Sequence, residues 1–145
     1  MMTLVNRNIP RLTLEGARAV LAAAERRAVE IQHPMNIAVV DDGGHLLAFA
    51  RMDGAKPASV EIAITKARAA ALRRAATGAP MRDGEPNLMV ALGLAVARPD
   101  QQTSVRGGIP LIVDGQVTGA IGVSAGTEDE DSDVARAGAA ALSEA

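Results

Sequence analysis

Apolar positions along the chain follow two periods, and the switch between them lays out the elements. Leu14, Ala17, Leu21, Ala24, Ala28 and Ile31 recur at spacings of three and four, with Arg18, Glu25, Arg26 and Glu30 off that stripe. This predicts an amphipathic helix capped by Thr13 and ended at His33-Pro34, because a residue before proline is pushed out of the helical region. The period then shortens to two. Asn36 to Val40 is a run of β-formers, Asp41-Asp42-Gly43-Gly44 is a turn, and HLLAFAR from His45 to Arg51 predicts the second strand of a hairpin. Strict alternation would set His45, Leu47, Phe49 and Arg51 on one face, with Leu46, Ala48 and Ala50 on the other.

Helical spacing returns at SVEIAITKARAAALRRAA, with Ser59 as the expected N-cap, Glu61 in the first turn and Gly78-Ala79-Pro80 as the stop. Asn87 to Ala97 predicts a short helix interrupted by Gly93. Ile109 to Val113 and Gln116 to Val123 read as strands joined by Asp114-Gly115, the dipeptide that most strongly marks a tight hairpin. Thr127 with Glu130 forms a capping box for a closing helix that runs to about Leu142. The order is helix, hairpin, helix, short helix, hairpin, helix. It predicts a single α+β domain over residues 1–145, with an antiparallel sheet of about five strands covered by helices.

Composition narrows the chemistry. The 145 residues include one phenylalanine, no tyrosine, tryptophan or cysteine, and two histidines. The core is therefore packed from aliphatic side chains, and disulfides and thiolate metal sites are excluded. Residues 51–106 hold nine Lys/Arg against five Asp/Glu, while residues 107–145 hold one against seven. Without aromatics to stack bases or a dense basic stripe, no nucleic-acid partner is expected; the basic middle suits a small anionic ligand. No apolar run reaches membrane-spanning length and no signal-peptide core precedes the first helix, so a cytoplasmic protein without a membrane partner is expected. Alanine-rich helical faces fit subunit contacts in a homo-oligomer.

Three ordered blocks then stand out: VVDDGGHLLAFARMDGA (Val39 to Ala55) with SVEIAITKARAAA (Ser59 to Ala71), GGIPLIVDGQVTGAIGVSAG (Gly107 to Gly126), and the acidic-capped helix containing DVARAGAAAL. Together they span nearly the whole chain, which resembles the GlcG/HbpS-like family, also called haem-binding or haem-degrading-domain-like. The family's GGH motif falls on Gly43, Gly44 and His45, its RMDGA on Arg51 to Ala55, and its GGxP on Gly107, Gly108 and Pro110. The resemblance implies a compact α/β sandwich with an antiparallel sheet, built into homo-oligomers. Residues 78–106 depart most from the pattern.

Four chemistries follow. In a tetrapyrrole site His45 would be the axial ligand of a haem and Met52 a second candidate, with Arg51, Lys56 or Arg106 pairing with propionates. In a small catabolic enzyme (a lyase, isomerase or hydrolase) acting on an anionic oxygenated metabolite, His45 would be the general acid or base, Glu61 its carboxylate partner and Lys66 or Arg51 the clamp. The Gly107-Gly108 amides and the Gly122 to Gly126 loop before a helix N-terminus would add donors. A metal could take His45 with Asp41, Asp42, Asp53 and Glu61. The fourth is a non-catalytic oligomeric accessory protein. The expected ligand-binding set is His45, Arg51, Met52, Lys66, Arg106, Gly107, Gly108 and Ser124, with His33 structural.

Overall fold

A computed structural model describes residues 2–143. Helix α1 (Leu14–Glu30) starts at the Thr13 cap, whose hydroxyl accepts from the Gly16 amide, and is followed by the hairpin β1 (Asn36–Asp41) and β2 (Leu46–Arg51). Helix α2 (Ser59–Arg73) leads to a two-stranded ribbon, β3 (Met81–Arg82) and β4 (Glu85–Pro86), then to α3 (Leu88–Ala97). The hairpin β5 (Gly108–Val113) and β6 (Gln116–Ser124) and helix α4 (Glu128–Ser143) complete the chain. The main sheet is antiparallel with four strands in the order β2-β1-β6-β5. The fold is thus the expected α+β architecture, with the ribbon β3-β4 standing apart as its own small sheet.

Helices cover both sides of that sheet. Ala17, Val20, Ala24 and Ala28 of α1 meet Ile37, Val39, Ile121 and Val123 of the sheet and Val134 and Ala135 of α4 in the larger core. On the opposite face Ala63, Ala67, Ala70 and Ala71 of α2 pack on Ala38, Val40 and Ala120. This second core contains alanines and one valine because α2 lies almost on the sheet. A Cβ at Gly122 would run into the Ala63 carbonyl and the Ala67 amide. Each strand of the central pair therefore faces protein on both sides, and alternation of polar and apolar residues disappears from β1.

Three local expectations change. The β1-β2 register shifts between Val39 and Val40, so Leu47 packs into the α1/α4 core while Phe49 packs against the α2 core. Strict alternation from His45 to Arg51 therefore fails, since a bulge moves every residue before it to a new face. Ser59 is the first residue of α2 rather than its cap. Ala58 precedes it in helical geometry and offers no side-chain cap, because Lys56 and Pro57 already begin the turn by accepting from Ser59 and Val60. Helix α3 runs unbroken through Gly93, with the Asn87 side chain accepting from the Val90 amide.

Candidate ligand-binding site

His45 sits at the end of the β1-β2 turn. The Asp41 carboxylate accepts from the Gly43 and His45 amides, an Asx-type turn that leaves Gly44 at φ 84°. The imidazole is exposed, as is Arg51 at the far end of β2. Two cations that the sequence did not single out hold this turn from α2: Arg68 donates to the Gly44 carbonyl at 3.3 Å and Arg74 to the Asp42 carbonyl at 2.8 Å. A side chain at Gly44 would meet Leu72. The turn thus rests on the last two turns of α2, whereas Glu61 occupies the first, roughly 10–16 Å away at 1.5 Å rise per residue. Within one chain His45 and Glu61 are not brought together. Among the described residues no group of three or more His, Asp and Glu side chains converges as a metal site.

Lys66 lies elsewhere. Its ammonium is buried between α2, β6 and α4, donating to the Val123 carbonyl at 2.9 Å and to Asp131 Oδ2 at 2.8 Å, with side chains only 1 % and 3 % exposed. Asp131 Oδ1 accepts from the Gly126 amide, so one carboxylate ties a lysine 65 residues away to the start of its own helix. Gly107, at φ 125°, passes so close that a Cβ would press on the Val123 carbonyl and Lys66 Nζ. Sequence reasoning singled out Lys66 but not its partner. The signal available was an aspartate inside the first turns of an otherwise alanine-rich helix.

The remaining expected ligand groups are engaged internally. Met52 packs against the larger core and its sulfur accepts from the Met35 amide. The Gly108 amide donates to the Thr77 hydroxyl, and Ser124 is buried in the sheet. Arg106 is exposed but pinned to α4 by Asp129 at 2.8 Å and Glu128 at 3.0 Å, contacts that raise its pKa above the usual arginine value. At the N-terminus of α4 the predicted capping box forms, Thr127 accepting from the Glu130 amide and Glu130 from the Thr127 amide. Hydrogen bonding to Thr127, its backbone amide foremost and its hydroxyl next, holds the Glu130 carboxyl below its ordinary pKa; His33 adds a smaller effect. His33 has the structural role expected of it, with Nε2 3.0 Å from the Ala125 carbonyl.

The surface feature that the sequence did not announce is the segment between Met81 and Ala97. Every side chain of α3 is apolar or absent, and none is buried. Leu88, Met89, Leu92 and Val96 are 74, 80, 63 and 72 % exposed, and Met81 of the adjoining ribbon is 61 % exposed. A helix apolar all round belongs in a buried setting, and ten residues alone are too few to hold a helix in water. Among the described residues no helix is long and apolar enough to cross a membrane.

An antiparallel four-stranded sheet clad by α1 and α4 on one face and α2 on the other, with an exposed histidine turn, makes up a single α+β domain. The model of the family described as haem degrading protein HbpS-like matches residues 12–140, and the chain belongs to that family. Protein GlcG of Escherichia coli (strain K12) is 41 % identical over 113 residues, covering 78 % of this chain and 81 % of that protein. The crystal structure of Klebsiella pneumoniae protein ORFY superposes with a TM-score of 0.83 at 30 % identity, over 99 % of each chain. The crystal structure of the PduOC:haem complex superposes with a TM-score of 0.78 at 27 % identity, over 91 % of this chain and 95 % of that one.

Proposed function

We propose that the protein binds a tetrapyrrole, haem being the candidate, and does so as a homo-oligomer in which the arm formed by residues 81–97 of one copy closes over the His45 turn of the next. The observation that carries this reading is the apolar helix α3, none of whose side chains is buried by the described residues and whose Leu88, Met89, Leu92 and Val96 lie mostly exposed. The His45 turn has the complementary lack: it offers an exposed imidazole but little apolar wall. Family membership and the haem complex of a relative support the ligand class.

The residues present fit such a group. His45 would hold the group through its exposed imidazole, since His33 is held against Ala125. Arg68 and Arg74, beside the turn, and Arg51 on its strand would pair with propionates, a geometry guanidinium groups favour. Leu88, Met89, Leu92 and Val96 of the neighbouring copy would exclude water from the ring faces. When bound, haem supplies an iron open to redox change or to exogenous ligands. The protein's own share is to orient the macrocycle, neutralise its carboxylates and keep it dry.

Hemin titration with absorbance detection tests this. A saturable Soret shift is expected in the parent protein, with loss of that shift in His45→Ala and at least about tenfold weaker binding in Leu92→Glu. Because Leu92 is exposed in the single chain, Leu92→Glu should leave the melting of the isolated domain unchanged. A Soret band indistinguishable between parent and His45→Ala, or no saturation, would overturn the reading.

A further inference from the structure

Helix α1 turns Ala17, Val20, Ala24 and Ala28 into the core, which leaves its other side open. At 3.6 residues per turn, Glu15, Arg18, Glu25, Arg26 and Val29 all lie within about 60° of Ala22 on that outer side, exposed or half-buried. Val29 is 63 % exposed, and Leu14 at the rim of the same face is 46 % exposed. An open concavity of about 550 Å³ lies there, lined by Ala22, Glu25, Arg26, Val29 and Glu30. Among the described residues none of Glu15, Arg18, Glu25 and Arg26 takes part in an ion pair, whereas Arg27, on the inner flank, is held by Glu30 and Asp133.

We infer that this face is a two-fold contact between copies of the chain, in which two α1 helices lie antiparallel with Ala22 beside the axis. With the axis at the level of Leu21, Glu15 lies within about 1.5 Å of level with the partner's Arg26, Arg18 with the partner's Glu25, and Leu14 with the partner's Val29. A two-fold axis across antiparallel helices also sets like flanks together, and Glu15 shares a flank with Arg26 while Leu14, Arg18, Glu25 and Val29 share the other. The face is therefore complementary to itself: each charge meets its opposite, the two large exposed aliphatic side chains meet each other, and alanine at the centre lets the helices approach. A contact of one helix pair is small, so the dimer dissociates on dilution. It lies across the sheet from α2 and the His45 turn, stands apart from the tetrapyrrole reading, and does not compete with the arm.

Sedimentation equilibrium over a dilution series, in the Leu92→Glu background that removes the apolar wall of the arm, measures this contact. Glu15→Arg and Arg26→Glu each place like charges across the axis and should each weaken the dimer by at least about tenfold. The two variants mixed in equal amounts should dimerise about as well as the background protein, because both pairs between unlike chains are again opposite in sign. A folding defect would not be repaired by mixing. The chain has no cysteine, so Ala22→Cys introduces a single thiol. With oxidised glutathione as the oxidant, it should form a covalent dimer at least about tenfold faster than Gln116→Cys on the β5-β6 hairpin. A background protein that stays monomeric at millimolar concentration, single variants that associate as well as it does, a mixture no stronger than its components, or equal cross-linking at both positions would each overturn the inference. Failure of the arm reading would show in the hemin titration and leave this comparison intact.

Discussion

Replacing Asp131 by alanine strips the carboxylate from a lysine that has no route to water. Lys66 Nζ would keep only the Val123 carbonyl, and the Gly126 amide would lose its acceptor. Breaking a buried ion pair from one side typically costs about 3–5 kcal/mol. For a domain whose whole stability is about 5–15 kcal/mol, that is a large share. At about 2–4 °C per kcal/mol for a chain near this size, the melting temperature should fall by roughly 6–20 °C. Asp131→Asn keeps an oxygen for Gly126 and should cost less than alanine. The double variant Lys66→Met, Asp131→Leu removes both charges and should recover most of the loss, because an apolar replacement of similar volume is often neutral or better. Urea denaturation of the three variants, with linear extrapolation and a check that the slope is constant, measures each term. A loss under about 1 kcal/mol for Asp131→Ala would mean that the site is wet or relaxes freely, and would refute the assignment of this pair as the tie between α2 and α4.

Two further outcomes follow from the helix ends. Glu130 has a folded-state pKa below its unfolded value, so its contribution is present above the ordinary carboxylate range and is lost as pH falls through the folded pKa. Glu130→Gln should therefore melt below the parent at pH 6 and converge with it near pH 3 in a calorimetric series; a gap that persists in acid would contradict the charged capping box. Thr13→Ala removes the acceptor for the Gly16 amide and should cost about 1 kcal/mol in chemical denaturation, with Thr13→Ser nearly silent.

Much of the architecture could be read because its signals are local. The Thr13 cap, the Asp114-Gly115 hairpin and the Thr127/Glu130 box each lie within a few residues, and each appears where the sequence puts it. The two-stranded ribbon escaped notice although Asp83-Gly84 carries the same turn chemistry, because strands of two residues have no period to detect. The bulge in β2 was hidden for a different reason. It is fixed by how Val39 and Val40 pair across the sheet, and HLLAFAR alternates well enough to suggest a regular strand.

The site was less legible than the fold. Residue type identified Lys66, Glu61 and His45 as chemically interesting, but their separation depends on which turn of α2 each one occupies. Arg68 and Arg74 looked like ordinary helix-surface cations until the structure placed them on the carbonyls of the His45 turn. Helix α3 gave no amphipathic stripe because all of its faces are apolar, and its exposure is a fact about the tertiary structure alone.

A mixing experiment tests the proposed tetrapyrrole site between copies most directly. His45→Ala lacks the imidazole and Leu92→Glu lacks the apolar wall; neither alone should bind hemin well. Unfolded together in equal amounts and refolded, random assembly places an intact turn beside an intact arm at about a quarter of the sites, whatever the number of subunits in a closed ring. The expected result is a saturable Soret shift of about one quarter of the parent amplitude. No recovery above the two variants refolded separately would contradict a site built from the turn of one copy and the arm of another.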